Sequence, residues 1–109
     1  MQLGLFDSRS AAVSLEDAIL YALGEFQARG HTLADRELAL DRLHGAFTRA
    51  SQKFGIGEPS DEMIADLLQR LGANVTKLPG FVAKRPYRIV ISKALSLRAT
   101  EILRKIDNA

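Results

Sequence analysis

Apolar residues recur along this chain at two different spacings, and the switch between them falls near residue 73. Before it the spacing is helical. Ile19, Ala22, Leu23 and Phe26 stand at i, i+3, i+4 and i+7, one stripe of a helix. Ser14-Leu15-Glu16-Asp17 supplies its start, with a capping hydroxyl and carboxylates in the first turn, and Gly30 supplies its stop. A second helix is predicted from near Asp35 to Lys53, with Leu43, Ala46, Phe47, Ala50 and Phe54 as its apolar side. Gly55-Ile56-Gly57-Glu58-Pro59 breaks it. Ser60 caps a third helix, whose Ile64, Leu67, Leu68 and Leu71 face inward and which Gly72 ends.

Beyond that point polar and apolar residues alternate. Asn74-Val75-Thr76-Lys77-Leu78 reads as a half-buried strand, and Leu78-Pro79-Gly80-Phe81 has Pro and Gly at the central positions of a type II turn. Tyr87-Arg88-Ile89-Val90-Ile91 is the returning strand, with Tyr87, Ile89 and Ile91 on one face; Pro86 marks its start. Leu95, Ala99, Ile102, Leu103 and Ile106 trace a closing amphipathic helix, capped at Ser92 or Ser96. Three helices, a hairpin and a last helix make an α+β, mostly α, domain over residues 14–109. In that order it resembles the winged-helix family. The resemblance implies a third helix presented to the major groove and a hairpin tip, Pro79–Pro86, that touches the nucleic-acid backbone or the minor groove.

Ahead of this domain, residues 1–13 read as a peptide and tether. Gln2-Leu3-Gly4-Leu5-Phe6 puts three large apolar side chains outside anything that reads as a folded core, so they either serve as a peptide for another molecule or form a short strand or staple onto the following helices; the polar, turn-like Asp7-Ser8-Arg9-Ser10 that follows suits a tether. The Q-L-x-L-F string resembles the peptide by which bacterial replication and repair proteins bind the sliding clamp, the beta subunit of DNA polymerase III. A string so specified arises by chance in roughly one chain of this length in a thousand. The resemblance implies that Gln2 fixes register by hydrogen bonds while Leu3, Leu5 and Phe6 fill a pocket on the clamp. Gly4 holds the middle position, where Ser or Asp is more usual.

Composition narrows the classes. A chain of 109 residues, 47% hydrophobic and 26% charged, has room for one real core and is not disordered throughout. It has no cysteine, which excludes a disulfide scaffold and a thiolate metal site and fits a reducing cytoplasm. Its apolar runs are too short to span a membrane, and no signal segment is expected. Charge is unevenly placed. Lys77, Lys84, Arg85, Arg88, Lys93, Arg98, Arg104 and Lys105 face Glu101 alone between Ala73 and Lys105. That stretch is a footprint for phosphate, and Lys77, Lys84, Arg85 and Arg88 of the hairpin join Arg42, Arg49 and Lys53 of the second helix as expected backbone contacts. The third helix argues against base reading, because it opens Asp61-Glu62 and carries Asp66, carboxylates that repel phosphate.

Catalytic signals are thin, and no enzyme activity, metal or cofactor is expected. His31 and His44 stand too far apart in sequence for a metal or triad proposal. Gly55-Ile56-Gly57 lacks the strand and the Lys-Ser/Thr of a phosphate loop. Asp35, Glu37 and Asp41 suit a solvated helix start better than Mg²⁺, and Phe47 and Phe54 suit a core better than base stacking. Tyr87, between Arg85 and Arg88, is the better stacking candidate, though burial under the hairpin accounts for it as well. The resulting expectation is a cytoplasmic replication or repair accessory factor that docks on the clamp and meets DNA or a replication protein through its folded domain. Two alternatives stand beside it. One is a winged-helix transcription regulator dimerised through Leu95–Ile106. The other is an inhibitor that occupies the clamp pocket.

Overall fold

The computed structural model describes residues 14–79 and 87–108. Four helices, α1 (Leu15–Ala28), α2 (His44–Phe54), α3 (Asp61–Arg70) and α4 (Lys93–Asp107), surround a small sheet of β1 (Glu37–Ala39), β2 (Asn74–Lys77) and β3 (Tyr87–Val90). The sheet is antiparallel with β3 in the middle, in the order β1-β3-β2. One strand lies between the first two helices, a strand pair follows the third, and a helix closes the chain. The arrangement is winged-helix-like.

Local chemistry explains the helix ends. The hydroxyls of Ser14, Ser60 and Ser92 accept from the backbone N–H of Asp17, Met63 and Leu95, each three residues on. Ser96, the other candidate cap of α4, is instead buried and donates to the carbonyl of Lys93. Past α3, Gly72 takes φ 108°, Gly72 N–H bonds the Gln69 carbonyl and Ala73 N–H bonds that of Leu68. Those paired bonds satisfy carbonyls the helix leaves open and need a residue tolerant of positive φ.

The second helix is shorter than its sequence predicts. It begins at His44, led in by a 3₁₀ turn over Leu40–Leu43, and Glu37–Ala39 is a strand. Asp35 takes φ 58°, which no helix admits, and its N–H bonds the Ile91 carbonyl at 2.7 Å. That contact delivers the chain to the edge of β3, where Leu38 comes opposite Ile89 and buries the alternate residue.

The core is contributed by all four helices and the sheet. Ile19, Leu20, Leu23, Leu33, Leu43, Ile64, Leu68, Ile89 and Ile91 are its largest fully buried members. Helix α1 carries more than one buried stripe, since Leu20 and Tyr21 are enclosed along with Ile19, Ala22, Leu23 and Phe26. It lies between α2 and α4, which cover it from different sides. At Gly24 an added Cβ would stand 2.6 Å from the Ala99 carbonyl oxygen and 2.9 Å from Leu103 Cβ. The α1–α4 crossing therefore depends on the absence of a side chain there.

Candidate partner-binding surfaces

Residues Gln2, Leu3, Leu5 and Phe6 lie outside the described residues, as do Lys84 and Arg85 at the hairpin tip and most of the predicted turn. The remaining predicted cations do not form one patch. On α2, Arg49 Nε donates to Glu25 Oε1 of α1 at 2.8 Å, and Arg29 approaches the same oxygen at 3.9 Å. Lys53 places its ammonium 5.4 Å from the centre of the Tyr21 ring, also on α1. Both side chains face their neighbouring helix and spend part of their charge there. Arg42 is exposed on the 3₁₀ turn.

The hairpin cations are divided by the pleat. Thr76 and Ala39 lie opposite Arg88, whereas Lys77 lies opposite Tyr87. Opposed residues share a face and successive ones alternate, so Lys77 and Tyr87 stand on the side of Val75 and the buried Ile89, and Arg88 stands on the other. Lys77 holds its ammonium 5.6 Å from the centre of the Tyr87 ring. Tyr87 is half-buried against the core with a cation beside it.

Helix α3 presents a different chemistry. Its buried side is Ile64, Ala65 and Leu68; its solvent side shows Glu62, Met63, Asp66, Gln69 and Arg70. Arg70 is engaged by Asp66 at 2.8 Å, and Met63 is 49% exposed. The helix that a winged-helix domain offers to the major groove is here acidic around an exposed thioether. Helix α4, by contrast, exposes Lys93, Leu97, Arg98, Arg104 and Lys105, with Arg98 3.8 Å from Glu16.

The residues weighed for catalysis are dispersed. His31 is stacked on Phe26 at 4.6 Å just past the end of α1, and His44 Nε2 is 3.4 Å from Glu58. Asp35, Glu37 and Asp41 fall on a loop, a strand and a 3₁₀ turn in place of one helix start. Among the described residues no three His, Cys, Asp or Glu converge to hold a metal ion. Phe47 is buried, and Phe54 meets Tyr21 edge-on at 5.2 Å, both as core. Tyr21 O–H donates to Asp107 Oδ1 at 2.8 Å; burial, then this bond and the nearby carboxylates, push its pKa up to about 12.

Periodicity alone did not reveal one feature. Between the start of α1 and the middle of α2 is an apolar depression of about 190 Å³, counting space open to solvent. Leu15, Ala18 and Ile19 form one wall, Phe47 and Ala50 another, and Ile56 and Pro59 its rim. Ile56 and Pro59 sit in a stretch whose glycines marked it only as a break. The signal available in the sequence was an Ile without a place in any helical stripe. Among the described residues no helix is long and apolar enough to cross a membrane. Comparison with protein-family models, with curated proteins and with solved structures finds no match to this chain.

Proposed function

We propose that this protein is a non-enzymatic, cytoplasmic accessory factor of bacterial DNA replication or repair. It attaches to the sliding clamp through Gln2–Phe6 and uses its winged-helix-like domain chiefly to contact a second protein. The observation that carries the attachment is the Gln2-Leu3-Gly4-Leu5-Phe6 string itself, set ahead of a domain whose first helix begins at Leu15. Burying Leu3, Leu5 and Phe6 offers roughly 5–8 kcal/mol gross. Ordering five residues returns about 1–2 kcal/mol each, so unaided affinity is micromolar or weaker and a second contact is needed to raise occupancy.

The choice of protein over base sequence as that second contact rests on α3. Carboxylates at Asp61 and Glu62, in the first turn, weaken phosphate binding where a sequence reader needs it. A dimeric operator-binding regulator is disfavoured for the same reason. Arg42 and the hairpin's Lys84 and Arg85 are the candidates for loose backbone contact. The test is a pull-down with purified clamp. Full-length protein is expected to be retained, and both a chain starting at Asp7 and the Leu5→Ala/Phe6→Ala variant are expected to be lost. Retention of either would overturn the attachment.

A further inference from the structure

We propose that the exposed face of α3 in one copy of this chain binds the exposed face of α4 in another, with Met63 set against Leu97. Neither the clamp peptide nor nucleic acid takes part, so the proposal goes beyond the function argued above.

The two faces share one layout with the charges reversed. Among the described residues the exposed large apolar side chains are Met63, at 49%, and Leu97, at 57%. Neither serves the core: α3 buries its Ile64, Ala65 and Leu68 side, and α4 its Leu95, Ser96 and Ala99 side. Met63 is continued by the half-buried Leu67 one turn on, and Leu97 by the exposed Ala94 one turn back. Around these centres the signs differ. Helix α3 carries Asp61, Glu62 and Asp66 against Arg70, a net charge of −2. Helix α4 carries Lys93, Arg98, Arg104 and Lys105 against Glu101 and Asp107, a net charge of +2.

An apolar centre inside a charged rim is the anatomy of a binding surface. Charge then selects the occupant. Two copies of α3 would oppose carboxylates, two copies of α4 would oppose cations, and such juxtapositions are costly. Unlike faces attract, so one chain holds both halves of the contact. Within a molecule those halves cannot meet, because α3 packs on β2, α4 packs on α1, and each exposed side points away from the body of the fold. The contact is therefore heterologous, and it differs from a symmetric pairing through α4 alone. It is also small, so the dissociation constant is expected on the order of 0.1–1 mM.

Two surface variants of the full chain test this by complementation. Met63→Arg disables the α3 face and spares α4; Leu97→Glu does the reverse. Amide spectral dispersion reports that each is folded. In wild type, amide shifts on α3 and α4 are expected to move together over a roughly tenfold dilution from about 1 mM. Each variant alone should show no such movement. Titrating unlabelled Leu97→Glu into isotope-labelled Met63→Arg should restore it, at Ala94, Leu97 and Glu101 of the labelled chain. Raising salt from about 50 to about 300 mM should weaken that binding about 3–10-fold. The Leu5→Ala/Phe6→Ala chain should associate as wild type does; loss of association there would assign it to the N-terminal peptide and overturn the proposal. So would wild-type shifts indifferent to concentration, a single variant that still self-associates, a mixture that does not interact, or binding that salt leaves unchanged.

Discussion

Tyr21 and Gly24, one turn apart on α1, each hold α4 in place by a different physical means. Tyr21 reaches the last turn of α4 through its bond to Asp107. Replacing it with Phe should cost about 1 kcal/mol, read as a shift in the urea midpoint. Burial of the phenol, with that bond added, predicts an alkaline effect. The folded phenol, with its pKa raised to about 12, keeps its proton after the unfolded one, near 10, has lost it. Its stabilisation is complete below pH 10 and fades as pH rises through 12. The melting temperature of wild type should therefore fall more steeply than that of Tyr21→Phe between pH 10 and 12. Parallel curves would contradict the assignment. Gly24 acts by omission. Gly24→Ala drives a methyl into the Ala99 carbonyl and should cost about 1–3 kcal/mol. Gly45→Ala, whose new Cβ meets only the end of Arg49 at 3.4 Å, is expected to be neutral or stabilising by up to about 1 kcal/mol.

Among the elements, α3 shows how local the instructions for a helix can be. Ser60→Ala removes its cap and is expected to cost about 1 kcal/mol; Gly72→Ala strains a backbone at φ 108° and should cost at least as much. Chemical denaturation of both variants checks this. Such signals made the caps, the hairpin strands and three of the four helices legible, because each depends on residues within a few positions. β1 was not legible. It is three residues long, and what makes Glu37–Ala39 a strand is β3, some fifty positions later. Leu38 and Leu40 fit a helical count as well as an alternating one until Asp35 turns the chain toward Ile91. The all-round burial of α1 was hidden for a related reason. A single-stripe reading assigns one covering neighbour, and this helix has two.

At the scale of the whole molecule, charge follows partners more than totals. The run of bases from Ala73 to Lys105 suggested one phosphate-binding face, yet the pleat separates Lys77 from Arg88, and Arg49 and Lys53 turn toward α1. Residue identity could supply the count of positive charges but not these pairings, which arise from tertiary contacts. Two outcomes follow for nucleic acid. Lys84→Glu with Arg85→Glu should weaken binding to mixed-sequence duplex and flatten its salt dependence. Glu62→Arg with Asp66→Arg should strengthen low-salt binding about tenfold or more, by converting the repelling helix into an attracting one. Fluorescence anisotropy across a salt series measures both.

The acidity of α3 also gives the domain a preferred heading. Beside a polyanion, under the function proposed above, the domain would roll until that helix pointed outward, much as a keel rights a hull. Met63 would then ride on the side away from the duplex, where a third molecule could reach it. An arriving partner with a basic, apolar-centred surface would find the contact already aimed at it.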